Sequence, residues 1–197
     1  LLSILFPENI WVIILDGRSP MTIRAFEDIH PQLAKDVYID DLALVLGDVQ
    51  IGADSSIWPF SVVRGDVNSI RIGARSNLQD HCVVHVSHDS VYLPGGVATV
   101  IGDEVTVGHQ VILHGCQIGN RCLIGMGSVV MDSVVIEPET ILGAGSIVTE
   151  GKTLSGGYLW LGRPARRIRA LSQTEREQLL YSAQHYVRLK DRHLNSR

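Results

Sequence analysis

The sequence predicts an all-β fold, a parallel β-helix of stacked six-residue turns followed by a C-terminal α-helix. Three observations carry this expectation. Branched aliphatic residues return at every sixth position through long stretches between Ile51 and Val148, the fourth residue after each of them is small, and glycine often follows them directly. Self-similarity at a fixed period marks a repeat architecture. An ordinary β-sandwich would alternate with period two and space its strands irregularly.

The aliphatic anchors run Ile51, Ile57, Val63, then Ile72, Leu78, Val84, then Ile101, Val107, Leu113. After one five-residue step, Ile118, Ile124, Val130, Ile136, Leu142 and Val148 complete the series. Four places after the anchors come small residues such as Ser55, Ser61, Cys82, Cys122, Ser128, Thr140 and Ser146. One large and one small inward residue per hexad suits a triangular coil of three short strands. Glycine after the anchor, as in Gly52, Gly73, Gly102, Gly108, Gly119 and Gly125, is expected at tight corners that favour a residue without Cβ. The pattern resembles the left-handed β-helix superfamily, and the left hand is implied by that resemblance.

Three segments are expected. Residues 1–20 read as an N-terminal extension, upstream translation or appended sequence, because Met21 opens a more ordinary protein start and the apolar run Leu1 to Leu15 is broken by Pro7, Glu8 and Asn9. That run has neither the basic flank and cleavage site of a secretory signal nor the length of a membrane span. Residues 21–160 form the left-handed β-helix domain, and 161–197 the C-terminal turn and helix. Ser172 and Glu175 form a capping box, with Leu179, Leu180, Ala183, Tyr186 and Val187 at helical spacing, so a helix is expected over about 172–193.

The chain has 197 residues, 45% of them hydrophobic, and a formal net charge of -4. One principal domain follows. The acidic balance offers no electrostatic footprint for nucleic acid or an anionic membrane, so neither is an expected partner. Three cysteines, Cys82, Cys116 and Cys122, make neither an even disulfide set nor a paired metal motif, which points to a reducing compartment, the cytoplasm.

Of eight histidines, His30, His185 and His193 lie in polar or helical contexts that suit the surface, and five cluster in QDHCVVHVSHD and VGHQVILHGC. His85 follows anchor Val84 and His114 follows anchor Leu113, so both occupy the same hexad position. Their separation of 29 residues is one 18-residue coil plus 11, and the excess falls where HDSVYLPGGVAT breaks the register. With that loop pushed out of a corner, the two imidazoles stack on successive coils about 4.8 Å apart and can share a metal. His109 follows anchor Val107 by two and belongs to a different face. A threefold homotrimer can unite all three if the face bearing His109 of one subunit meets the face bearing His85 and His114 of the next. Three neutral imidazoles with an open fourth position let zinc lower the pKa of bound water to about 7. Ferrous iron or cobalt would also accept this ligand set. The other reading of each histidine is a packed interface residue without metal. His81 and His88 are weaker candidates, as auxiliary ligands or proton carriers.

The strings Arg64-Gly65-Asp66, Asn77-Leu78-Gln79-Asp80 with His85 five residues on, and GHQVILHGC with His109 and His114 resemble the signature of γ-class carbonic anhydrases over roughly residues 30–170, most closely the bacterial branch with a trimmed loop. The resemblance implies reversible hydration of carbon dioxide to bicarbonate by metal-bound hydroxide, with His85, His109 and His114 as ligands shared between subunits. It also implies an Arg64–Asp66 ion pair at the interface with Asp80 close by, Gln79 bonded to the bound water or substrate, and Asn77 orienting it. Arginine suits such a pair because its planar fork holds a carboxylate and can still face bicarbonate. A purely structural bridge is the other reading of Arg64 and Asp66.

This chain departs from the family archetype. Val67 stands where a glutamate follows the aspartate, and the loop from His88 to Thr99 has no glutamate to carry protons. Losing the carrier slows regeneration more than it weakens the site, which implies a low rate or another small carbonyl substrate. Cys82 and Cys122 are expected in the core, while Cys116, two after His114, leaves a thiolate ligand open. Two rival functions remain. A hexapeptide acyltransferase would use one histidine as base on an acyl-CoA reaction without metal, and a non-catalytic metal-binding trimer would keep the site without turnover.

Overall fold

The computed structural model describes residues 22–196; the expected extension, residues 1–20, and Met21 lie outside the described residues. Residues 22–160 wind a left-handed β-helix of short parallel strands. Successive anchors define three faces. The first is anchored by Ile51, Ile72, Ile101, Ile118, Ile136 and Leu154, the second by Ile57, Leu78, Val107, Ile124, Leu142 and Trp160, and the third by Val63, Val84, Leu113, Val130 and Val148. The strands Leu44–Ile51 and Val62–Ile72 bend around the corner from the third face to the first and join those two faces in one sheet.

The repeat is longer than the expected anchors. Leu33, Ile39 and Val45 pair with Ile51, Ile57 and Val63, and Leu154 and Trp160 extend the other end. Anchors from Val45 to Leu154 are buried, as are Cys82, Cys122 and the small residues beside them. Each large aliphatic taken fully from water contributes roughly 1.5–3 kcal/mol. The buried serines are satisfied rather than orphaned, since Ser55 Oγ donates to Gly73 O at 2.7 Å and Ser61 Oγ to Gln79 O at 2.8 Å, each on the following coil.

The expected role of the glycines is corrected. The left-handed residue of a coil sits three places after the anchor, at Asp54, Phe60, Arg75, His81, Glu104, Gln110 and Arg121, all with φ between 55° and 62°. Glycine directly after the anchor serves a different need. A Cβ on Gly125 would stand 2.5 Å from the backbone nitrogen of Ala144, and one on Gly52 2.6 Å from that of Ala74. Close stacking of one coil on the next excludes the side chain there.

The C-terminal segment holds more than the expected turn. Gly162-Arg163-Pro164 connects Tyr158–Gly162 to an antiparallel strand, Ala165–Ala170, that the repeat pattern does not announce. Helix α1 (Gln173–Leu194) then begins at the expected capping box: Ser172 Oγ accepts from Glu175 N–H at 3.2 Å, and Ser172 N–H donates to the Glu175 carboxylate at 2.8 Å. It lies along the second face, where Tyr186 meets Trp58 edge-on at 5.7 Å and the fully buried Lys190 reaches Asp54 at 2.8 Å. No helix among the described residues is long and apolar enough to cross a membrane.

Candidate metal centre

The strands Val83–His85 and Ile112–His114 pair in parallel on the third face, and His85 stands opposite His114. The register break between them is an arm, residues 86–98, closed at its base by the antiparallel bridge Ser87–Val97. Asn68 Nδ2 donates to Ser87 O at 3.1 Å and Gly95 O at 3.2 Å, so the arm leaves the coil without disturbing its stacking.

His85 Nδ1 lies 3.1 Å from His114 Nε2. The outward nitrogen of each ring is held by a carboxylate, His85 Nε2 by Asp66 at 3.0 Å and His114 Nδ1 by Asp132 at 2.7 Å. Arg64 forms an ion pair with the other oxygen of Asp66, and Ser87 Oγ donates to the other oxygen of Asp132 at 2.9 Å. Burial pushes the Asp66 pKa up, but the hydrogen bonds from His85 and Arg64 and the Arg64 charge outweigh it and hold the carboxyl below its usual range. Burial, helped by the charges of Arg64 and His114, depresses His85 against the opposing pull of Asp66. A neutral His85 has one proton, and Asp66 claims it.

Assigning each ring proton to its carboxylate has a direct consequence. His85 Nδ1 and His114 Nε2 then both present lone pairs, and they face each other across 3.1 Å. Two donors each about 2.0–2.1 Å from a tetrahedral zinc stand roughly 3.4 Å apart, so the pair has close to the bite of such an ion.

His109 takes its place in a corner between the second and third faces rather than on a face. Its Nδ1 is 2.8 Å from Asp80 Oδ2, which leaves Nε2 pointing away on a half-exposed ring. Asp80 therefore holds His109 and does not join Arg64 and Asp66 within the protomer. Among the described residues of one chain, no three His, Cys, Asp or Glu side chains converge as a metal group. Asn77 and Gln79 form a separate buried chain on the second face: Gln79 Nε2 donates to Asn77 Oδ1 at 3.4 Å, and Asn77 Nδ2 to Thr106 Oγ1 at 3.1 Å.

The remaining candidates are placed as follows. His88 is exposed on the arm, and His81 is exposed in a left-handed corner with its ring stacked on Phe60 at 4.9 Å. Cys116 is fully buried in the core among the aliphatic anchors, and burial pushes its thiol up to about 12, so nothing in the structure supports the thiolate ligand that sequence left open. Sequence reasoning missed Asp132, Ser87 and Thr106. The first was within reach: Asp132 is 18 residues after His114, one full coil, and so lies on the same ladder.

Residues 98–132 and 115–150 match the family model described as bacterial transferase hexapeptide (six repeats), which makes this a hexapeptide-repeat protein. The chain is 49% identical over 173 residues to protein YrdA of Escherichia coli (strain K12), covering 88% of this chain and 94% of that one. It is 41% identical over 175 residues to the mitochondrial gamma carbonic anhydrase 2 of Arabidopsis thaliana, covering 87% of this chain and 62% of the relative. A crystal structure of a hexapeptide transferase family protein from Anaplasma phagocytophilum superposes with a TM-score of 0.81 at 39% identity, over 88% of this chain and 98% of that one. The chain belongs to the γ-carbonic-anhydrase-like family of hexapeptide-repeat proteins.

Proposed function

We propose that the protein is a metal-dependent carbonic anhydrase-like enzyme, hydrating carbon dioxide reversibly to bicarbonate at sites shared between the subunits of a homotrimer. The observation that carries this reading is the 3.1 Å approach of His85 Nδ1 to His114 Nε2, each ring held from behind by a carboxylate. With both ring protons turned to the carboxylates, two lone pairs face each other across this gap, and a metal cation relieves their repulsion. A carboxylate behind each ligating imidazole is the usual support of a histidine metal site, fixing the tautomer and raising basicity. His109 has the same support from Asp80 and a free Nε2.

The third face supplies the reason for a trimer. Its outward positions are Val62, Val83, Ile112, Val129 and Ile147, paired coil to coil in an apolar column that no described element covers. His109 lies at the leading corner of this face, and His85 and His114 at its trailing edge. Three copies with this face turned inward would bury the column and bring each leading corner beside a neighbour's trailing edge, completing three imidazoles. Zinc, or ferrous iron or cobalt, would supply Lewis acidity that brings the ionisation of water to near neutral pH.

The chain's own groups do the rest. Asp66 and Asp132 orient the ligand rings. Arg64 neutralises Asp66 and, with its side chain 43% exposed, keeps donors for an anion such as bicarbonate. Gln79, fixed by Asn77, offers its amide toward substrate. No glutamate stands at Val67 or on the arm to receive a proton, so His88 or buffer takes it and turnover is slow.

Metal content per subunit, measured with stopped-flow hydration for the wild type and His114→Ala, tests the reading. About one metal per subunit, lost with the activity in the variant, is expected. Metal without hydration would leave a binding role, and no metal after metal-replete purification would sink the site and favour an acyltransferase.

A further inference from the structure

The last coil of the prism has two sides instead of three. Its first side is Thr153–Leu154 and its second Tyr158–Gly162, each paired to the strand one coil earlier. Gly162-Arg163-Pro164 then turns the chain back, and Ala165–Ala170 runs antiparallel along Tyr158–Gly162 instead of passing beneath Ile147–Val148. Eighteen residues after Val148, one coil on, the place of the next anchor falls to Arg166, an exposed cation that an aliphatic core would not take.

The open side has a floor and an edge. A pit of about 210 Å³ lies between Val148, Leu154 and Trp160 on the coil side and Pro164, Ala165 and Arg166 on the other. Val148 and Leu154 are each 2% exposed, so a side chain entering the pit meets the end of the core. Ile147–Val148 ends its sheet, and among the described residues no strand pairs with its far edge. The open end of a stacked repeat needs a cover, and an unpaired edge beside an apolar hole accepts an extended chain as an added strand.

Charge narrows the occupant. Lys152 and Arg166 line the pit, Arg163 sits in the turn beside it, and Arg167 lies over the Tyr158 ring at 4.8 Å. Among the described residues none of these four pairs with a carboxylate, whereas Arg169 further along the strand is taken by Glu175. Between Thr149 and Ile168 the only acid is Glu150, so this end is positive on a chain whose net charge is -4. Two such ends repel each other, and an acidic chain is drawn in.

We propose that the open side of the last coil binds an acidic, extended peptide segment of a partner protein, which adds as a strand on Ile147–Val148, sets one valine-sized side chain in the pit and turns flanking carboxylates toward Lys152 and Arg166. The anchor size continues the column above it, Val63, Val84, Leu113, Val130 and Val148. The site lies two coils beyond His114 and uses none of the metal-centre residues, so it stands apart from the carbonic anhydrase reading.

The acetylated and amidated pentapeptide Glu-Asp-Val-Asp-Glu, titrated into the full chain and followed by backbone amide shifts, tests the proposal. Saturable shifts at Ile147, Thr153 and Ala165 are expected. Replacing the central valine of the peptide by glycine should weaken binding about tenfold, and Lys-Lys-Val-Lys-Lys should not bind. Arg166→Glu, on an exposed position outside the coil core, should also weaken binding about tenfold. Ala165→Trp should abolish it by closing the pit. Absent shifts in the wild type, equal binding of the glycine or lysine peptide, or binding undiminished in Arg166→Glu would each overturn the proposal. A mass that doubles with protein concentration, with shifts at the same three residues, would give the edge to a second copy and overturn it equally.

Discussion

Asp132 lies one full coil beyond His114 and takes its Nδ1 at 2.7 Å, while Ser87 at the base of the arm donates to the second Asp132 oxygen at 2.9 Å. The ring is thereby fixed from behind by residues from two other parts of the chain. Asp132→Ala should lower metal affinity about 10–100-fold with little change in the fold, as expected for a carboxylate supporting a ligand. Competition against a chromogenic chelator would read it, and unchanged affinity would show that the carboxylate does not support a metal.

The apolar column on the third face makes a second prediction. Ile112 is 40% exposed at its centre. A charge there faces water in a lone subunit and is costly to desolvate in an assembled one. Ile112→Asp should reduce the mass measured by light scattering from trimer to monomer and release metal with it, leaving the circular dichroism of the β-helix in place.

Two neighbouring glycines separate two physical demands. Gly127 is left-handed at φ 67° with nothing within 4 Å of a built Cβ, so Gly127→Ala should cost only about 1–2 kcal/mol of backbone strain. At Gly125 the Cβ would meet backbone of the next coil at 2.5 Å, and Gly125→Ala should cost about 3 kcal/mol or more. Urea unfolding of the two variants would rank them. A larger loss at Gly127 would reverse the assignment.

The cysteines predict a pH response. Burial pushes the thiols of Cys82, Cys116 and Cys122 up to about 12, whereas an unfolded cysteine titrates near about 8.5. The native chain keeps these protons where the unfolded chain releases them, so their contribution is whole below about 8.5 and declines as pH rises toward 12. Urea midpoints should fall between pH 8 and pH 10 more steeply in the wild type than in a variant with all three cysteines replaced by alanine. Equal slopes would count against the burial effect.

Much of the fold was legible because its rule is periodic. Val84 and Leu113 announce their place by spacing alone, and adding one residue puts His85 and His114 on a common ladder. The same arithmetic, applied from His114, reaches Asp132. The strand Ala165–Ala170 was illegible for the opposite reason: it lies beyond the repeat, mostly exposed, and its pairing with Tyr158–Gly162 is set by the turn between them. The space of about 390 Å³ between α1 and the second face was hidden because it depends on how far the helix stands off the coils, a distance that helical periodicity does not encode. The glycines were correctly located yet wrongly explained, since sequence shows a missing side chain without showing which neighbour would have met it.

The bridge between Ser87 and Val97 brings the two ends of the arm together at the coil surface. Everything beyond it, including Val91 and Tyr92 at 88% and 94% exposure, is held outside the prism. The coil therefore tolerates an exchange of this segment for one of another length or composition, because chain inserted beyond the bridge adds nothing to the rise between His85 and His114. Such a hinge point lets the surroundings of the imidazole pair be remodelled while their mutual spacing stays fixed.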